Sequence, residues 1–168
     1  GRVRHEGTAV GPTWCSGMWE GRLTGNGFCK AYCTTGWGMG WLIADTPVTK
    51  ELIKLQQHSV THPASYSQYC AVEALRMDQA PVREMVDEFR ARRDMMVKGL
   101  RAIEGWECNV PKGAFYVFGK FHHKLDSMQM AERLLHDGRV AVTPGIEFGP
   151  LGEVHVRISY ANSRENPS

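Results

Sequence analysis

The chain has 168 residues, 42% of them apolar and 23% charged, with a formal net charge of +2. That length suits one ordinary domain or two small lobes sharing a core, with a single compact unit the first expectation, and the interspersed charges form no basic stripe that would suit a nucleic acid. Its longest apolar runs, 40–44 and 114–118, are too short to span a bilayer and no charged-then-apolar leader opens the chain, so it reads as soluble, unsecreted and cytoplasmic, with no membrane partner.

Residues 1–27 are rich in glycine and proline, hold Trp14 and Trp19, show no period of 2 or 3.6, and read as loop. Gly36, Gly38 and Gly40 then lead into Trp41–Ala44, a short apolar run that reads as a buried strand. A turn over Asp45–Pro47 follows. Thr46 or Thr49 is suited to cap a helix over Lys50–Val60, and Pro63 to precede a second helix over Ala64–Met77.

The clearest helix runs from Pro81 to about Ile103, where Val82, Met85, Val86, Phe89, Met96, Val97, Leu100 and Ile103 recur at spacings of three and four. Glu84 and Asp87 favour its positive amino end, and Gly105 supplies a stop. Arg90, Arg92 and Arg93, interleaved with Glu88 and Asp94, read as its solvated face. Beyond it, Ala114–Phe118, Val140–Thr143 and Val154–Tyr160 read as strands and Met128–His136 as a short helix. The pattern is a long helix leading into an α/β lobe.

Five cysteines, Cys15, Cys29, Cys33, Cys70 and Cys108, are odd in number and lack a CxxC pair, which suits reduced thiols better than disulfides or zinc. No metal site is expected: His58 and His62, four apart, have no third ligand or HExxH context, and the adjacent His122 and His123 read as a solvated loop. Gly36-Trp-Gly-Met-Gly40 lacks GxGxxG spacing and precedes a strand instead of following one, so it is not read as a dinucleotide loop.

The segment Asn26-Gly-Phe-Cys-Lys30-Ala-Tyr-Cys-Thr-Thr-Gly36-Trp-Gly-Met-Gly40-Trp-Leu resembles the Schiff-base segment of class I/II aminotransferases, which depend on pyridoxal 5'-phosphate (PLP). Leu55–Thr61, Gln68–Leu75, Glu88–Asp94, Pro111–Val117, Val142–Gly145 with Phe148-Gly149, and Val156–Tyr160 are similar to further family segments, in family order. The resemblance runs from about Met18 to Asn166. It implies an α/β fold in which residues 1–80 are the end of the PLP-binding large domain, and 81–168 the connecting helix and small carboxy-terminal domain.

By that resemblance, Lys30 forms the Schiff base with PLP and shuttles the substrate's α-proton, work suited to an amine that is both nucleophile and base. Arg157 binds the substrate α-carboxylate, to which a guanidinium fork offers two parallel bonds. From the residues alone, Lys30 reads as a surface lysine and Arg157 as a strand residue aimed at water. Two departures touch the cofactor site: Gly38 stands where the family carries a phosphate-binding arginine, and Cys29 where it carries serine. Together these losses remove about 2 to 4 kcal/mol, roughly 30- to 1000-fold in cofactor affinity. Cys29 also reads as a small buried thiol.

The family residues that hold the pyridine nitrogen, stack on the ring and begin the phosphate site lie further upstream of the lysine than this chain extends. The implied protein is therefore a truncated or minimal aminotransferase acting on an amino acid and a 2-oxo acid. A non-catalytic binding or oligomerisation module, or a fragment without independent function, remains the alternative, and homo-oligomerisation is expected if apolar area is left uncovered.

Overall fold

The computed structural model describes residues 22–163. Packing divides them into one unit ending at Val82 and another starting at Arg83, not the single compact unit that length suggested.

In the first unit, β1 (Thr24–Gly27) and β2 (Gly40–Ile43) form an antiparallel ribbon with Asn26 opposite Trp41, followed by α1 (Thr46–Ser59) and α2 (Ser65–Arg76). β1 lies where sequence suggested only loop. The backbones approach closely at Gly40, where an added Cβ would stand 3.0 Å from the Asn26 carbonyl. The buried strand expected at Trp41–Ala44 is instead an exposed ribbon: a two-stranded pair leaves Trp41 39% and Leu42 49% exposed. Asp45, not Thr46 or Thr49, caps α1, its side chain accepting from the Val48 amide, and Pro47 fills the first turn, where its missing N–H costs nothing. The helix ends at Ser59, so His58 and His62 do not share a helix face.

α3 (Ala80–Arg101) begins at the end of the first unit and carries into the second. Its buried residues Arg93, Val97 and Leu100 lie at i, i+4 and i+7, one helical stripe, with Phe89 and Met96 packed beside them. The helix stops short of Ile103, which is exposed, and Gly105 at φ +78 turns the chain into a strand.

The second unit is a four-stranded sheet in the order β3-β4-β6-β5, formed by β3 (Trp106–Cys108), β4 (Tyr116–Phe121), β6 (His155–Ser159) and β5 (Thr143–Pro144), with every pairing antiparallel. α4 (Ser127–His136) is capped by Asp126, with Gln129 returning a bond to the Asp126 amide. Val117 and Phe121 of β4 and Val156 and Ile158 of β6 fill one sheet face, joined by Val97, Leu100, Met130 and Tyr160. The fold is α/β, as expected.

Three strand boundaries shift for backbone reasons. Ala114 and Val154 sit at φ +63 and +59, in the left-handed region, so β4 and β6 begin after them. The strand expected over Val140–Thr143 shrinks to Thr143–Pro144, because the Val140 amide donates to the Leu134 carbonyl at 3.0 Å, closing α4.

Arg93 overturns the solvated reading of its cluster. It is 3% exposed, donates from Nε to Asp94 and from Nη1 to the Pro111 carbonyl at 3.3 Å. Arg90 pairs with Asp87 on the outer side, as expected, whereas Arg92 is mostly covered, pairing with Glu88 and donating from Nη1 to the Ala161 carbonyl at 2.9 Å. Tyr160 packs edge-on to Phe89, donates its hydroxyl to the Ala114 carbonyl at 3.2 Å, and has its pKa pushed up to about 12, chiefly by burial. Three of the family-like segments, around Arg93, Pro111–Val117 and Tyr160, thus interlock to hold β4 against β6.

Candidate active site

Lys30, Cys29 and Gly38 share one connection of the first unit, between β1 and β2. Phe28 and Ala31, both buried, anchor it, and the Tyr32 amide closes an i to i+4 turn on the Phe28 carbonyl at 3.0 Å. Lys30 rides this turn and is exposed, and Cys29 is half-buried, close to the backbone of Gly27. The Tyr32 hydroxyl donates to Gln79 Oε1, tying the turn to the start of α3, and Ser67 of α2 donates to the Trp37 carbonyl at 3.1 Å. A surface lysine is thereby fixed on a braced loop.

Gly36 and Gly38 have φ of +88 and +61, and open space surrounds a Cβ added at either. A left-handed backbone at Gly38 favours glycine over arginine by roughly 1–2 kcal/mol. As a test of fit to PLP, the exposed Lys30 amine suits condensation with an aldehyde. Gly38, where the resemblance implies a phosphate-binding guanidinium, offers only backbone. Thr34 Oγ1, in the same loop, is buried without a hydrogen-bond partner among the described residues.

Arg157 belongs to the second unit, at the centre of β6, opposite Phe118 of β4 and Thr143 of β5. Alternation along the strands puts Val156 and Ile158 in the core and turns Arg157 to the open face, beside Tyr116, Phe118, Lys120 and His155. Its Nη2 donates to Thr143 Oγ1 at 3.0 Å, and its Cζ lies over the rings of Tyr116 and Phe148, 4.6 and 5.0 Å from their centroids. No carboxylate of the described residues pairs with it. A cation fixed by rings and one hydroxyl keeps donors for an external anion.

Phe118 links the neighbours. It meets Phe148 edge-on at 5.7 Å and stacks on His155 at 4.9 Å. His155 Nδ1 lies 2.8 Å from the Glu153 carbonyl, which can only accept, so Nδ1 is the donor in this contact. A groove of about 490 Å³ runs along this face past Tyr116, Phe118, Lys120 and His155 to Glu107. Glu107 itself is turned to His122, 2.9 Å away, and His123 with it lies in the exposed loop that sequence suggested.

The 3-10 turn Gly145–Phe148 that supplies Phe148 depends on Gly145, whose added Cβ would fall 2.0 Å from the Gly152 carbonyl. Ser127 of α4 receives the Ile146 amide on its hydroxyl and gives its own amide to Glu153. Hydrogen bonds to Glu153 from the Ser127 amide and the Ser127 hydroxyl, then from the Val154 amide, hold its carboxyl below the ordinary range. Neither Tyr116 nor Phe148 can be assigned to Arg157 from sequence. Phe148 falls within a family-like segment, but only strand register and the 3-10 turn bring it to the cation.

Four of the cysteines, Cys29, Cys33, Cys70 and Cys108, are free thiols, while Cys15 lies outside the described residues. Among the described residues no cluster suits a metal ion, and no helix is long and apolar enough to cross a membrane.

The family model for aminotransferase class I and II matches residues 5–166, and the chain belongs to that family. It is 40% identical to an aspartate aminotransferase of Pyrococcus horikoshii over 149 residues, 87% of this chain and 38% of the relative. It is equally 40% identical to a (5-formylfuran-3-yl)methyl phosphate transaminase of Methanocaldococcus jannaschii, covering 84% of this chain and 38% of that one. The crystal structure of the aspartate aminotransferase from Rhizobium meliloti superposes with a TM-score of 0.87 at 33% identity, over 97% of this chain and 44% of the other. The chain thus spans about two fifths of the length of the curated relatives it matches.

Proposed function

We propose that this chain carries the lysine and the carboxylate-binding arginine of PLP-dependent amino transfer between an amino acid and a 2-oxo acid. The observation that carries the reading is Arg157, an internal strand arginine held by two aromatic rings and a hydroxyl with no carboxylate partner among the described residues. Membership of a family whose named relatives are aminotransferases supports it. PLP, when bound, supplies the aldehyde that takes up the amino group and the electron sink that makes the substrate's α-proton removable.

The chain's own residues do the rest. Lys30 Nζ is the group that attaches the cofactor and accepts and returns the α-proton, and its exposed place on a braced turn leaves it accessible. Arg157 orients the substrate by its α-carboxylate, fixing which face of the α-carbon is presented. At Gly38 the loop offers a phosphate backbone in place of a guanidinium, so retention of PLP is weak.

The competing reading is a non-catalytic module for association, and it draws on a specific feature: α1 buries none of its residues, and Leu55, Tyr66, Tyr69 and Leu75 of α1 and α2 are 63–77% exposed. The two readings part on amino transfer. With PLP present, passage of ¹⁵N from a labelled amino acid to a 2-oxo acid should exceed the rate with free PLP and return to it in Lys30→Ala. Equal rates in the two proteins would leave the association module standing, its self-assembly indifferent to both PLP and Lys30.

A further inference from the structure

The rings that lie against Arg157 do more than fill space. A long, rotamer-rich side chain on the open face of a sheet is mobile unless packed, and immobilising such a side chain when a ligand arrives costs binding free energy. Here that cost is met in advance. Tyr116, from β4, and Phe148, from the 3-10 turn after β5, each present a ring face to the guanidinium carbon. Thr143 takes a single donor on Nη2. Ring faces attract the cation without using its N–H groups, whereas a carboxylate partner would occupy the fork that a ligand needs.

Phe148 is the informative member of the pair. It is 53% exposed, so shortening it opens no core cavity. Its ring is itself set by Phe118, edge-on at 5.7 Å, and Phe118 by His155, stacked at 4.9 Å with an interplanar angle of 8°. The His155 ring is fixed in turn by the Glu153 carbonyl. The orientation of the cation is thereby referred back to the backbone just before β6 through a run of packed rings.

We propose that Phe148, together with Tyr116, is a positioning residue that holds the Arg157 fork pre-oriented for a carboxylate. This rests on the reading of Arg157 as the carboxylate clamp, and the test separates the two. In the ¹⁵N-labelled chain, the Arg157 Nε–Hε resonance, identified by its loss in Arg157→Lys, is followed while 2-oxobutyrate is added. The resonance should shift saturably in the wild type. In Phe148→Leu the apparent Kd should rise about 2- to 10-fold, the range expected when one long side chain must be ordered on binding. The Arg157 Nε heteronuclear NOE of the unliganded protein should fall in the same variant. Phe148→Tyr, which keeps the ring face, should restore both values.

An Arg157 resonance that ignores 2-oxobutyrate in the wild type overturns the clamp and this proposal with it. A wild-type shift with unchanged Kd and NOE in Phe148→Leu overturns the positioning role alone. Should the amide spectrum of Phe148→Leu show the sheet disturbed, Tyr116→Leu carries the same expectation, and wild-type affinity there rejects the proposal.

Discussion

Replacing Gly145 by alanine strikes at the turn on which the Arg157 surroundings depend. The added methyl carbon would lie 2.0 Å from the Gly152 carbonyl oxygen and 2.7 Å from that of His155. Both obstacles are backbone, so no side chain can rotate away, and relief requires moving the 3-10 turns or the start of β6. Overpacking against a well-packed site costs about 1–3 kcal/mol and more where nothing yields, so about 3 kcal/mol is expected here. With a urea m-value of roughly 1–3 kcal/mol/M, the unfolding midpoint of the second unit should fall by about 1–3 M. The assay is a urea titration followed by circular dichroism, with hydrogen exchange of the β6 amides reporting on that unit alone. Gly152→Ala, whose added carbon meets the Gly145 carbonyl at the same distance, should behave alike. A midpoint within about 0.3 M of the wild type for both variants would refute the close approach.

Arg157→Lys keeps the charge but loses the second parallel bond, which should cost about 1.5 to 3 kcal/mol, roughly 10- to 150-fold in kcat/KM for amino acids, while PLP attachment at Lys30 is unchanged; steady-state kinetics beside cofactor titration checks the split. Because the folded Glu153 carboxyl sits below its ordinary value of 4.5, its stabilising contribution is present above that value and drains away as pH falls through the lower folded value. Glu153→Gln should therefore lower Tm at neutral pH and flatten the decline of Tm below about pH 4.5, as read from a series of thermal melts. Tyr160, with its pKa raised from 10.0 to about 12, contributes stability below pH 10 that is lost as pH climbs through 12, and Tyr160→Phe should blunt that alkaline loss in the same series. Gly38→Arg places a cation where the loop lacks one but forces φ +61 on a non-glycine residue, so it should tighten PLP binding by fluorescence titration while lowering Tm.

Much of this architecture is legible in the residues, and the failures have identifiable causes. The spacing of Phe89, Met96, Val97 and Leu100 announces α3, yet the same periodicity puts Arg93 on the buried stripe, four residues before Val97. Grouping it with Arg90 and Arg92 by charge hid that. Asp45 outranks Thr46 as a cap because its carboxylate reaches the third amide of a helix that opens on Thr-Pro. β1 and β3 are four and three residues long, too short for alternation to show. Val154, a β-branched residue at positive φ, gives no warning in composition. Lys30 as a site residue came through resemblance alone; nothing in its own side chain separates it from other surface lysines. Arg157 is visible as a charge within an apolar run, but its rings and hydroxyl come from register and from the Gly145 turn, which are properties of three-dimensional pairing.

Peptide mapping after the chain is incubated with PLP and reduced with borohydride reads the role of Lys30 directly. The PLP-derived mass should appear on the peptide containing Lys30, well ahead of every other lysine, and disappear in Lys30→Ala. Label spread evenly over Lys50, Lys54, Lys98, Lys112 and the remaining surface lysines, with Lys30 no more reactive than they are, would contradict it.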